Sequence, residues 1–166
     1  VLNAGTNILT SKESIELAEK YDGFYAGAGF YPHDCVNITD EREALNTLEK
    51  LLEHPKVVSV AEIGLDYHWD VDRNLQKELF LKQLDIAKKY NKPVIIHSRD
   101  CIQETYNILK EYNLVGSIHC YSGSIEMAKE FIKLGYKIGI GGVVTYKNAK
   151  NIKEVVKNID LSYILL

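Results

Sequence analysis

Glu62, His97 and His119 are the residues of this chain whose types and intervals can do chemistry. They are separated by 35 and 22 residues, and one strand-plus-helix unit takes roughly 20 to 35 residues. The three therefore fall on neighbouring strands, each where its strand hands over to a loop. Two imidazoles and a carboxylate converging there make a divalent-metal site of borderline-soft character. Such a site lowers the pKa of a bound water and polarises a phosphoryl or acyl oxygen. A bridging Glu62 can hold two ions, one for the attacking oxygen and one for the leaving oxygen. Taken singly, a histidine at a strand end is more often a hydrogen-bonded loop residue than a ligand. Glu62 follows Val58, Val60 and Ala61, and a carboxylate buried among them is costly unless paired or metal-bound. The coincidence of three strand ends favours a metal.

Other polar residues fall around the same mouth. Arg99 and Ser122 come shortly after the two histidines and can contact a substrate phosphate, Arg99 with a bidentate fork; a salt bridge or a helix cap explains them equally well. His33 is a phosphate donor or an outer group of the site. Asp66 either orients a ligand histidine through its second nitrogen or caps a turn. Tyr67, with His68 and Trp69, offers a surface for stacking an unpaired base, or packs over the top of the fold. Lys147, Lys150, Lys153 and Lys157 recur at helical spacing, as a solvated face or as a local positive field.

The elements that must position these residues can be read from patterning. Strand-like runs cover Gly23–Phe30, Val57–Ile63, Pro93–His97, Val115–Cys120, Lys137–Val143 and Ser162–Leu166, with Val1–Thr6 as another. Continuous apolar stretches such as Val94-Ile95-Ile96 suit parallel strands buried on both faces. Amphipathic helices lie between the runs. Thr10 with Glu13 reads as a capping box, Thr39 or Asp40 caps the next helix, Asp100 another, and Ser124 a further one that Gly135 stops. Leu75, Leu79, Leu84 and Ala87 mark the inner face of the longest helix. This alternation predicts a parallel α/β protein forming a single domain over residues 1–166. An open doubly wound sheet gathers its chemistry at one switch point beside a glycine-rich phosphate loop. Here Gly27-Ala28-Gly29-Phe30-Tyr31-Pro32 lacks the third glycine, and polar residues end several successive strands. That distribution predicts a closed (β/α)8 barrel.

Composition narrows the function. The chain is 46% apolar and 26% charged, as ordinary globular proteins are. No apolar run is long enough to span a membrane. Cys35, Cys101 and Cys120 form no CxxC pair, which fits a reducing, cytoplasmic setting. The net charge of −3 excludes a protein that holds nucleic acid by bulk electrostatics. A polyanionic substrate would need bound metal and local lysines.

Several segments carry a resemblance. Ala61-Glu62-Ile63-Gly64-Leu65-Asp66-Tyr67 resembles the GEIGLDY segment of the TatD-type deoxyribonucleases, and Pro93 to Asp100 is similar to their PVIIHSRDA. His119-Cys120-Tyr121-Ser122-Gly123 is similar to HCFSG. Gly5-Thr6-Asn7 also matches, and Gly29 to Asp34 approximates GxHPHD with Tyr31 where a histidine usually stands. Lys137 to Gly142 completes the order. The resemblance implies a TIM-barrel member of the amidohydrolase-like metal hydrolases, with Glu62, His97 and His119 as metal ligands and Glu62 able to bridge. It implies Mg, Mn or Zn, two ions in a complete protein, and cleavage of DNA phosphodiesters, with DNA ends as substrate. Some relatives are linked to other hydrolyses, including deacylation of D-aminoacyl-tRNA. Many relatives begin with an HxH pair and carry an ETD on the last strand; this chain shows neither. The expected barrel is therefore incomplete, without its first strand and C-terminal helices. An esterase or amidase of the same architecture, and an inactive barrel scaffold, are the competing readings.

Overall fold

The computed structural model describes residues 1–166. Seven parallel strands pair in chain order: β1 (Leu2–Ala4), β2 (Tyr25–Ala28), β3 (Val57–Asp66), β4 (Val94–Arg99), β5 (Gly116–Ile118), β6 (Tyr136–Gly139) and β7 (Ile164–Leu165). The helices α1 (Ile8–Lys20), α2 (Glu41–Leu52), α3 (Arg73–Lys89), α4 (Ile102–Leu109), α5 (Ile125–Lys133) and α6 (Lys150–Asn158) connect them. The sheet curls into part of a barrel, with β1 and β7 as its edges. This is the parallel α/β order that the alternation predicts, in the incomplete (β/α)8 form that the strand-end polar residues and the resemblance together imply.

The strand period decides which side chains reach the site. In β4, Val94 and Ile96 are fully buried in the core, while Ile95, His97 and Arg99 alternate onto the opposite face. That face is only half-buried at Ile95 and His97, and Arg99 is exposed. The expectation of strands buried on both faces thus holds for β3, where every residue but Val58 is buried, and for one face alone of β4. β3 runs beyond the predicted end at Ile63, so Glu62 lies inside the strand rather than at its close. The opposite happens in β6, which ends at Gly139; Gly142–Thr145 winds into a 3-10 turn.

Local chemistry sets the helix starts. Asn7 caps α1 by accepting from the Thr10 N–H, while the Thr10 hydroxyl accepts from the Asn7 N–H. The capping box is therefore Asn7 with Thr10, not Thr10 with Glu13. Asp40, Asp72 and Ser124 cap α2, α3 and α5. Asp100 does not cap α4: it takes a left-handed conformation, φ 58°, and Cys101 occupies the cap position without a side-chain bond to the helix N–H groups. Gly135, φ 95°, stops α5 as expected. On α3, Leu79, Leu84 and Ala87 are buried, but Leu75 is 47% exposed, at the margin of the buried face that Gln76, Leu79, Phe80, Gln83 and Ala87 form.

Candidate metal centre

Glu62 is the meeting point of the site. Its Oε1 lies 2.7 Å from His119 Nδ1 and 3.3 Å from His97 Nδ1. The three side chains come from β3, β4 and the turn after β5, as their spacing requires. Gly64 makes the approach of β3 to β4 possible. It pairs with His97, has φ 144°, and a Cβ there would stand 2.0 Å from the His97 carbonyl oxygen.

His97 is gripped on its other nitrogen. Its Nε2 is 3.0 Å from Asp66 Oδ2 and 2.9 Å from the Tyr31 hydroxyl, and that hydroxyl donates to Asp66 Oδ2 at 3.0 Å. Asp66 is fully buried. A carboxylate only accepts, so the arrangement places the proton of a neutral His97 on Nε2. The Nδ1 lone pair then faces Glu62 Oε1, acceptor against acceptor, an arrangement that a cation between them relieves.

Electrostatics agree. Burial raises the Glu62 pKa, but its histidine neighbours, first of all the hydrogen bond from His119, outweigh it and hold the carboxyl below the ordinary glutamate range. The Glu62 hydrogen bond raises His119 above the ordinary histidine range, against the effect of burial. Burial and the bond to Asp66 push the Tyr31 phenol up, so it stays a donor.

The donor types fit a divalent ion: one carboxylate, kept ionised, and two imidazoles. The spacing is contracted, and no group of three or more His, Cys, Asp or Glu side chains stands open around a common point. Ligands about 2.0–2.2 Å from one tetrahedral ion lie about 3.3–3.6 Å from each other. The His97–Glu62 pair already has that separation at 3.3 Å, whereas the His119–Glu62 pair, at 2.7 Å, would have to open.

The remaining residues divide into two groups. Arg99 is exposed at the end of β4, near enough to Tyr31 for its charge to act on the phenol. His33 packs edge-on against Tyr31 (5.5 Å) and Trp69 (5.4 Å), and its Nε2 is buried without a protein partner. Trp69 is 52% exposed beside these rings. Tyr67 is engaged elsewhere: its hydroxyl donates to Glu104 Oε2 at 2.8 Å, and Arg73 lies 4.5 Å over its ring. Ser122 is exposed and lines a cleft of about 350 Å³ with Cys120, Gly141 and the start of α6. Of the four lysines, Lys150, Lys153 and Lys157 lie on α6; Lys147 precedes it in a turn, outside the expected helical row. Lys153 bonds the Tyr146 carbonyl. All three cysteines are free thiols, and no helix is long and apolar enough to cross a membrane.

Sequence reasoning left out Tyr31, whose place in the motif marked it only as a departure, and two buried glutamines, Gln76 and Gln83. Nothing local distinguishes those glutamines from other polar helix residues.

The profile of the family described as "TatD related DNase" matches residues 1–166. The chain belongs to the TatD family. It is 42% identical over 161 residues to a Bacillus subtilis (strain 168) protein named "uncharacterized metal-dependent hydrolase YabD", covering 95% of this chain and 62% of that protein. Among solved structures it resembles YjjV, a TatD homologue from Escherichia coli K12, with TM-score 0.91 and 34% identity over 99% of this chain and 65% of YjjV. It also resembles a TatD-family hydrolase from Entamoeba histolytica, with TM-score 0.85 and 25% identity over 98% of this chain and 57% of the other. The TatD chain thus spans less than two thirds of the length of these relatives.

Proposed function

We propose that this chain carries the divalent-metal site of a hydrolase, with Glu62, His97 and His119 as ligands and DNA phosphodiesters as substrate. The observation that carries the metal reading is His97: one nitrogen is fixed by Asp66 and Tyr31 while the other faces an ionised, buried Glu62. The names of relatives as metal-dependent hydrolases support it. When bound, a divalent ion supplies Lewis acidity, polarising a phosphoryl oxygen and easing the deprotonation of water.

The chain's own residues do the rest. Glu62 and the two histidines present the donors. Asp66 fixes the tautomer and orientation of His97 through Nε2. Arg99, exposed at the mouth, is placed to take a phosphate oxygen, and Trp69, exposed against His33 and His68, offers a ring for an unpaired base. The DNA reading rests on these two groups, the lysines of α6 and the family's description.

The test uses the full-length protein with added Mg²⁺ or Mn²⁺ and end-labelled single-stranded DNA. We expect shortening of the label that chelation stops and that Glu62→Ala abolishes. Intact DNA alongside metal-dependent turnover of a carboxylic ester or amide would transfer the site to the second class of substrate. Activity unaffected by chelation would remove the metal altogether.

A further inference from the structure

Two buried glutamines on one helix hold the strand ends behind the site. Gln83 Oε1 accepts from the Phe30 N–H at 2.7 Å and its Nε2 donates to the Phe30 carbonyl at 3.0 Å. Gln76 repeats the pattern on Asp66: Oε1 accepts from the Asp66 N–H at 2.8 Å, and Nε2 donates to the Asp66 carbonyl at 3.0 Å and to the Val71 carbonyl at 3.2 Å. Both side chains are essentially inaccessible. At 3.6 residues per turn, positions 76 and 83 lie about two turns apart on one face of α3. Each amide meets both main-chain groups of one residue, as the peptide of a neighbouring strand would. β2 ends at Ala28, so neither Phe30 nor the end of β3 has such a neighbour in the β2–β3 ladder, whose last pair is Ala28 with Val60.

The two clamped residues are not arbitrary. Phe30 precedes Tyr31, and Asp66 is the residue that meets His97. Tyr31, Asp66 and His97 close a triangle of contacts at 2.9 to 3.0 Å. The triangle joins three separate elements, and its corners hold their mutual places only if the chain ends bearing Tyr31 and Asp66 do.

We propose that Gln76 and Gln83 are positioning residues: they fix the ends of β2 and β3 so that Tyr31 and Asp66 grip Nε2 of His97 and turn Nδ1 towards Glu62. The grip itself needs no ion; only its consequence for metal affinity rests on the function proposed above. An apolar side chain of the same length would fill the space of either glutamine but leave the strand end unpinned. A residue that merely fastens α3 to the sheet, such as the buried Leu79, would not affect the ring of His97.

The test records side-chain ¹⁵N spectra of the chelated full-length protein at a fixed pH where the ring is neutral. In the wild type, the two nitrogens of His97 should show the well-separated shifts of a single Nε2–H tautomer. In Gln76→Met the shifts should converge as the tautomers mix, and in Gln83→Met they should converge less, because that clamp acts through Phe30 and Tyr31. Leu79→Ala, despite a lowered Tm, should leave them apart. With ion restored, Gln76→Met should lose about 10- to 100-fold in Mn²⁺ or Zn²⁺ affinity, measured by competition with a chelator, and Leu79→Ala should lose little. If Gln76→Met does not fold, Gln76→Glu, which keeps the acceptor for the Asp66 N–H, must show the same convergence at smaller size. Wild-type shifts in the glutamine variants, or equal convergence in Leu79→Ala, would overturn the proposal. A wild type that binds no divalent ion would sink the metal reading while the spectra still decide this one.

Discussion

His97 and His119 face the same carboxylate oxygen, yet they are held in different ways. His97 lies within the six-residue strand β4, its side chain is 18% exposed, and its far nitrogen is fixed by Asp66 and Tyr31. His119 follows a three-residue strand in a turn, its side chain is 48% exposed, and the ring's only hydrogen bond is to Glu62. Behind the first half of the site stands the longest helix, α3, which carries two side-chain clamps; no such clamp backs β5 or β6. The difference teaches that one half of the centre is preorganised and the other can adjust. An ion arriving there would meet a fixed Nδ1 on His97 and would be accommodated by movement of His119, the contact that is too short for two ligands of one ion.

Substitutions can break or sharpen this contrast. The largest effect belongs to Glu62, which serves both halves: Glu62→Ala should lower activity by more than the 10- to 100-fold typical of an outer partner, in initial-rate measurements on the full-length protein. Asp66→Asn should fall within about that 10- to 100-fold window, and Ser122→Ala, on the adjustable side, well below it. Equal losses from Asp66→Asn and Ser122→Ala would erase the asymmetry between the halves.

Smaller effects report on the scaffold. Asp72 accepts from the Asn74 and Leu75 N–H groups at the start of α3, so Asp72→Ala should cost about 1 kcal/mol of stability in urea unfolding. The smallest concerns Glu104 on α4. The hydrogen bond from Tyr67, with help from Lys77 at 3.1 Å, holds its carboxyl below the ordinary glutamate range. A depressed folded-state pKa stabilises above the unfolded pKa and is lost as pH falls through the folded value. The stability gap between wild type and Glu104→Gln, read by urea unfolding, should therefore be small at neutral pH, since the pair is partly exposed, and should vanish in acid.

Much of the fold was legible because its determinants are local. Asp40, Ser124 and Gly135 act on the turn of chain next to them, and strand–helix alternation follows from periodicity. The errors came where two local solutions compete or a third element decides. Asn7 and Thr10 belong to one capping box, and composition alone does not say which residue is the cap. Asp100 is a good cap by type but takes a left-handed conformation. Glu62, His97 and His119 stood out by residue type and interval, and the structure brings their donors together. What supports them did not stand out: Gln83 meets Phe30 across 53 residues and Tyr31 meets His97 across 66. Those bonds exist only once β2, β3, β4 and α3 have packed.

The account stands on one ion bound by Glu62, His97 and His119. Anomalous diffraction from crystals of the full-length protein grown with Mn²⁺ or Zn²⁺ tests it most directly. We expect a peak within coordination distance of Glu62 and of Nδ1 of both histidines, with His97 unmoved and His119 drawn back from Glu62. A peak elsewhere, or none at that point while Glu62 and His119 keep their hydrogen bond, would contradict it.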